Sequence, residues 1–91
     1  MNTTAENETL LEFPCDFPIK IMGLMQEEFS QTMVEIVLRH APDFVAEKVE
    51  MRASSGGKYV SITCTIRATS KSQLDNLYRE LTAHPLVKMA L

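Results

Sequence analysis

The sequence predicts an α+β fold in which two helices cover one face of a four-stranded antiparallel sheet. Four segments alternate apolar and polar residues with a period of two, which is typical of strands that are buried on one face. Two segments repeat apolar residues every three or four positions, which indicates amphipathic helices. Because the segments follow the order strand, helix, strand, strand, helix, strand, both helices can pack on the same side of one sheet.

The first strand is predicted at residues 17–23, where apolar and polar side chains alternate. Its two faces carry Ile19 and Ile21 on one side and Lys20 and Met22 on the other. From Met25 onward the period is that of a helix, which Pro42 stops. The apolar stripe of this helix contains Phe29, Met33, Ile36, Val37 and His40. Its first turn is predicted to hold Glu27 and Glu28, because carboxylates suit the positive end of the helix dipole.

A β-hairpin is predicted from residues 45–53 and 59–67, with a turn that contains Gly56 and Gly57. If the two glycines form a two-residue type I′ turn, apolar side chains of both strands meet on one face, and a four-residue loop at 55–58 gives the same register. The resulting apolar pairs are Ala53 with Val60, Met51 with Ile62, and Val49 with Cys64. The opposite face of the second strand carries Tyr59, Ser61, Thr63, Thr65 and Arg67.

The second helix is predicted to begin after Ser70, which is a favourable N-cap residue with Gln73 at the capping-box position. Its apolar stripe contains Leu74, Leu77, Tyr78 and Leu81. The helix ends at the His84–Pro85 pair. Residues 86–91 form the predicted last strand, with Val87, Met89 and Leu91 facing inward.

Two right-handed crossovers between these elements predict a ferredoxin-like βαββαβ sandwich with the spatial strand order 4-1-3-2. Both helices then lie on one face of the sheet, and the opposite face stays bare. We expect residues 10–91 to form this single domain. Residues 1–9 carry no apolar anchor, and we expect them to be a disordered tail.

Several fragments of the chain resemble the YbeD-like family of small bacterial proteins when they are taken together and in order. They are LLEFP at 10–14, IMG at 21–23, RHAPDF at 39–44, SSGGKYVSIT at 54–63 and the ending LVKMAL at 86–91. The resemblance covers about residues 9–91. It implies a ferredoxin-like fold that is similar to the ACT regulatory domains, which bind small ligands such as amino acids. It implies no established activity.

Composition restricts the classes of function. The formal net charge of −3 provides no general basic field to concentrate nucleic acid. No apolar run approaches the ~18 residues that a membrane span needs, and residues 1–9 do not have the pattern of a signal peptide. Cys15 and Cys64 are far apart and form no CxxC motif, so we expect reduced thiols in a cytoplasmic protein.

The sequence shows no set of residues that is typical of a catalytic or metal site, and we expect neither an enzyme nor a bound cofactor. Cys64 lies among core-facing positions and is interpreted as a small buried apolar residue. His40 and His84 lie at the ends of the two helices, where a histidine suits the negative end of the dipole. Ser54 and Ser55 belong to the hairpin turn, which favours small polar residues.

Three surfaces are candidates for binding, and one is the apolar edge strand at 86–91, whose free backbone groups could pair with another chain. The bare sheet face is predicted to contact a protein partner through Lys20, Met22, Tyr59, Ser61, Thr63 and Thr65. The resemblance to ACT domains implies a ligand site at the loop after the first strand, formed by Gly23 with Leu24 and Met25 as its lining. We therefore expect a non-enzymatic regulatory or adaptor domain, a monomer or homodimer, that acts through protein contacts and amino-acid-like ligands.

The alternative is an RNA-binding module that uses the same bare face. Modules of that class stack bases on aromatic side chains of the central strands. Tyr59 is the one aromatic residue expected on this face. That pattern and the acidic net charge argue against nucleic acid as the partner.

Overall fold

A computed structural model describes residues 12–91 of the chain, so the predicted tail at 1–9 lies outside the described residues. A four-stranded antiparallel sheet is packed under two helices. The elements are strand β1 (Cys15–Leu24), helix α1 (Phe29–His40), a short 3₁₀ turn (Ala46–Lys48), strands β2 (Glu50–Ala53) and β3 (Tyr59–Ala68), helix α2 (Lys71–Ala83) and strand β4 (Val87–Ala90).

The strands lie in the order β2-β3-β1-β4, which confirms the predicted ferredoxin-like arrangement read from the opposite edge. The odd-numbered residues of β1 and the even-numbered residues of β3 point toward the helices. The main inward side chains of the sheet are Ile19, Ile21, Val60, Ile62, Cys64 and Ile66, and those of the helices are Phe29, Met33, Ile36, Val37, Leu74, Leu77 and Leu81. Their burial is the main source of stability of the domain.

The hairpin register is confirmed, and its loop has four residues. Met51 faces Ile62 and Ala53 faces Val60. The backbone groups of Ser54 and Tyr59 close the ladder, so the loop spans residues 55–58. Gly57 has a positive φ of 73°, whereas Gly56 does not, and a type I′ turn would require a positive φ at both.

Helix α2 begins as the sequence predicts. The hydroxyl oxygen of Ser70 accepts a hydrogen bond of 3.1 Å from the backbone N–H of Gln73. The Gln73 side chain accepts from the N–H of Thr69, one residue before the cap, and donates from its Nε2 to the carbonyl oxygen of His40 at 2.8 Å. Gln73 therefore also ties the start of α2 to the end of α1.

Helix α1 and strand β2 are shorter than predicted. The helix begins at Phe29, so Glu27 and Glu28 lie in the preceding turn rather than in its first turn. The chain before β2 forms a 3₁₀ turn at Ala46–Lys48, and for this reason Val49 does not extend the ladder to Cys64. Glu47 interrupts the apolar alternation of this segment, and both Glu47 and Lys48 stay exposed.

Strand β1 is longer than predicted and includes Pro18, which pairs with Thr65 of β3. The backbone N–H and carbonyl groups of Lys20 both bond to Leu91, so these two groups point toward the β4 side of β1. Because these directions alternate along a strand, the nitrogen of Pro18 also faces the β4 side, beyond the residues that β4 pairs with. A proline is tolerated there because no strand among residues 12–91 pairs with that side of residue 18.

Strand β4 contradicts the prediction that Met89 and Leu91 face inward. Ile21 pairs with Ala90 and Met22 pairs with Met89, but Gly23 pairs with Val87. The register shift between Met22 and Gly23 marks a β-bulge, which reverses the faces of all residues beyond it. Val87 is inward as predicted, whereas Ala90 takes the next inward position. Met89 and Leu91 are 49% and 62% exposed.

Candidate functional site

The side of the sheet away from the helices forms the candidate site, and we call it the open face. All six residues that the sequence predicts as partner contacts lie on it together. They are Lys20, Met22, Tyr59, Ser61, Thr63 and Thr65. The other members of the open face pair with or follow those residues in the sheet, and they are Asp16, Pro18, Leu24, Glu50, Arg52, Arg67, Met89 and Leu91. Asp16 and Arg67 form an ion pair with each other.

One half of the open face is apolar. Met22 is half-buried beside Met89, and Leu91 lies directly opposite Lys20 on the neighbouring strand. Tyr59, next to Leu24, is 40% exposed. The bulge in β4 creates this half, because it turns two large apolar side chains toward the outside of the sheet.

The other half of the open face is charged. A shallow hollow of about 210 Å³ is lined there by Lys20, Glu50, Arg52 and the hydroxyl-bearing Ser61 and Thr63. Within residues 12–91, the side chains of the three charged residues have no ion-pair partner. Their charges are therefore available to groups outside this part of the chain.

A second cleft lies on the helix side of the sheet, between the start of α1 and strand β2. Its volume is about 340 Å³, and its lining is mainly apolar. The main lining side chains are Met25, Phe29, Met51 and Val60, with Gln26, Glu27 and Ser30 at the rim. A signal for this cleft is Met51, a large apolar residue on the edge strand β2 that is 57% exposed.

The three residues predicted to bind a small ligand do not share a surface. Gly23 is buried, and a Cβ atom there would overlap the carbonyl oxygen of Leu86 and the ring of Phe29. Gly23 is required by this close packing and not by an unusual φ. Leu24 lies on the open face, while Met25 lines the apolar cleft and donates its N–H to the carbonyl oxygen of Lys58 at 2.8 Å.

Cys64 and Glu80 have shifted pKa values, and in each case the cause lies in the packing of the fold. Burial raises the pKa of the Cys64 thiol to about 11, as expected for a thiol in an apolar core. Glu80 of α2 bonds to Arg39 and lies 2.7 Å from Nε2 of His40, at the end of α1. The Arg39 hydrogen bond, followed by that of His40, lowers the pKa of Glu80.

Sequence reasoning missed two parts of the open face. Met89 and Leu91 were assigned to the core because no residue type marks the bulge that turns them outward. Glu50 and Arg52 could have been included from the sequence, since the hairpin register places them opposite Thr63 and Ser61. Among residues 12–91, no three side chains of the His, Cys, Asp and Glu types come close enough to hold a metal ion. No helix in the same part of the chain is long and apolar enough to cross a membrane.

Solved structures with a similar fold support the architecture. Protein HP0495 from H. pylori, determined in solution, has a TM-score of 0.72 at 15% identity, with 89% of this chain and 85% of that chain covered. The C-terminal domain of the MgtC protein from Mycobacterium tuberculosis has a TM-score of 0.53 at 11% identity, with 89% and 88% covered. At these identities the likeness concerns the fold.

Relatives found by sequence have a much higher identity to this chain than the solved structures do. The chain is 53% identical over 88 residues to the UPF0250 protein RSc0326 of Ralstonia nicotianae, which covers 97% of this chain and 91% of the relative. It is 50% identical over 91 residues to a UPF0250 protein of Janthinobacterium sp., with both chains fully covered. Residues 8–91 match the family described as "Protein of unknown function (DUF493)". The chain therefore belongs to the DUF493 or UPF0250 family of small bacterial proteins, which confirms the YbeD-like resemblance.

Proposed function

We propose that this protein is a non-enzymatic regulatory or adaptor domain that acts in the cytoplasm by binding protein through its open face. The observation that carries the proposal is the combination on one surface of exposed apolar side chains and charges that have no ion-pair partner within residues 12–91. Met89 and Leu91 provide the apolar area, and Glu50 and Arg52 provide the charges. Protein interfaces combine these features, with an apolar centre that excludes water and polar groups that select the partner.

Protein contact is better supported than the sensing of an amino-acid-like ligand. The apolar cleft near Met25 has the volume for a small molecule. Its polar rim carries Glu27, and the N–H of Met25 is engaged with Lys58. A ligand carboxylate would therefore meet a like charge where it needs donors. Such a ligand would have to bind chiefly through apolar contacts.

The test is affinity capture from native cytosol with the wild-type protein and two variants. Thr63→Arg places a bulky charge in the middle of the open face, where Thr63 is half-buried. Gln31→Arg adds the same charge on an exposed position of α1 and serves as the matched control. We expect specific proteins to be captured by the wild type and the control but lost with Thr63→Arg. Capture of the same proteins by all three would reject the open face as the site.

Filter binding to mixed RNA tests the rival function. An RNA-binding module would bind with an affinity that falls steeply as salt rises, because Lys and Arg contacts to phosphates release counterions. We expect no such binding. Tight, salt-sensitive binding that Thr63→Arg changes and Gln31→Arg does not would favour RNA over protein as the partner.

A further inference from the structure

The open face carries two opposite charges on one strand. Glu50 and Arg52 are two residues apart in β2, and both side chains line the same hollow. Successive side chains on one face of a strand are about 7 Å apart. Neither of the two has an ion-pair partner within residues 12–91. Strand β2 therefore presents two opposite charges, at a fixed spacing, to any molecule that covers the open face.

Two neighbouring rows of residues on the open face run across all four strands of the sheet. We call them the Arg52 row and the Glu50 row. The Arg52 row contains Arg52, Ser61, Met22 and Met89, and the Glu50 row contains Glu50, Thr63, Lys20 and Leu91. Each row thus has a charged end on β2, a hydroxyl in β3 and an apolar end on the β4 side.

Under a half-turn the two rows complement each other on β2, on β3 and on the β4 side, whereas on β1 Lys20 comes opposite Met22 of a second copy. The axis lies parallel to the sheet, perpendicular to the strands, and passes between the rows. A second copy placed by this rotation sets its Glu50 row over the Arg52 row of the first copy, and the reverse also holds. Arg52 then faces Glu50 of the second copy, and Met89 faces Leu91 of the second copy. The hydroxyls of Ser61 and Thr63 come opposite each other.

We propose that the open face is the interface of a symmetric homodimer, formed by two copies of this chain with their sheets face to face. Two-fold symmetry repeats every contact, so one interface would contain two Glu50–Arg52 ion pairs and two Met89–Leu91 contacts. Stacked sheets of this kind lie about 10 Å apart with their strands within about 30° of alignment. The inference rests on the proposed function of the open face as a protein-contact surface and names the partner.

Charge reversal tests the pairing directly. We would measure the dimer dissociation constant by analytical ultracentrifugation for the wild type, Glu50→Arg, Arg52→Glu and the double exchange that carries both. Each single reversal replaces two attractive contacts by two repulsive ones, so we expect about tenfold weaker dimerisation or more. The double exchange restores opposite charges across the interface, and we expect it to return within about threefold of the wild type.

Two controls distinguish the loss of a specific interface contact from effects of net charge and of unfolding. Asp43→Arg changes the net charge as much as Glu50→Arg does, at an exposed turn after α1, and is expected to leave dimerisation unchanged. Urea unfolding of each variant verifies that it is folded. A wild type that stays monomeric up to about 1 mM would overturn the homodimer, and so would a double exchange as weak as the single reversals.

The outcomes also separate this inference from the proposed function. If the purified protein is monomeric but Thr63→Arg still abolishes capture of other proteins, the open face binds a different partner and only the homodimer is wrong. If the charge exchange rescues dimerisation but capture is the same for Thr63→Arg and Gln31→Arg, the homodimer is correct and the adaptor proposal fails.

Discussion

Gly23 lies so close to Leu86 that a Cβ atom on residue 23 would overlap the Leu86 carbonyl oxygen, as well as the ring of Phe29. Because one of these neighbours is backbone, it has little room to move. The connection between α2 and β4, the end of β1 and the start of α1 thus meet at one crowded point. A side chain at residue 23 would therefore disturb the packing of all three segments.

Gly23→Ala is expected to destabilise the protein by about 1–3 kcal/mol, which is the usual range for overpacking a core. Gly56→Ala is the matched control, since nothing lies within 4 Å of a Cβ there and its φ is not positive. We expect the control to change the free energy of unfolding by no more than about 0.5 kcal/mol. Urea unfolding measures both. Equal effects at the two sites would show that the contact with Leu86 is relaxed in solution.

The bulge in β4 predicts opposite behaviour for two adjacent residues. Ala90 pairs with Ile21 and points to the core, whereas Met89 pairs with Met22 and is exposed. Ala90→Asp should destabilise by about 2 kcal/mol or more, because it places an unpaired charge against apolar groups. At a protein concentration low enough to keep the protein monomeric, Met89→Asp should change stability by no more than about 0.5 kcal/mol. The reverse order in urea unfolding would mean that β4 has no bulge.

The link between the two helices predicts a stability contribution that depends on pH. The pKa of Glu80 is lowered by Arg39 and then by His40, so ionised Glu80 favours the folded state. The contribution is present above the unfolded-state pKa of about 4.3 and is lost as pH falls through the lower folded-state pKa. Glu80→Gln should therefore destabilise the protein at pH 7, and this effect should shrink as the pH is lowered below about 4.3. Urea unfolding at a series of pH values checks this, and a pH-independent difference would contradict it.

Thiol reactivity should distinguish the two cysteines. Cys64 is buried with a pKa raised to about 11, whereas Cys15 is half-buried. At pH 8 the thiolate fraction of Cys64 is about two orders of magnitude below that of an ordinary thiol. In a Cys15→Ser variant we expect Ellman's reagent to react with native protein far more slowly than with urea-unfolded protein. A Cys64→Ser variant, which keeps Cys15, should show a much smaller difference, and rapid labelling of native Cys64 would indicate frequent opening of the core.

The parts of the fold with redundant local signals were predictable from sequence. The register of β2 and β3 follows from alternation on both strands, and any even loop length between them keeps apolar residues together. The start of α2 follows from Ser70, whose hydroxyl caps the helix as expected. In both cases local chemistry and tertiary packing favour the same structure.

Other features depend on tertiary contacts that leave no local signal. The bulge in β4 follows from how Val87 meets Gly23, and the residues around it suit either face of a strand. Helix α1 starts at Phe29 although helix-favouring residues precede it, and the ring of Phe29 packs beside Gly23. The six predicted contact residues of the open face were located correctly in the sheet because they depend on β1 and β3, which pair along their full length.

The position of Pro18 has a consequence for the behaviour of this protein at high concentration. Strand β4 covers only part of β1, so the outer margin of β1 near Pro18 remains open within the described residues. A strand of another molecule that aligned with this edge would find no amide hydrogen at Pro18, because proline has no backbone N–H. Edge-to-edge association of sheets from different molecules is therefore disfavoured at this edge of β1, even in a crowded solution.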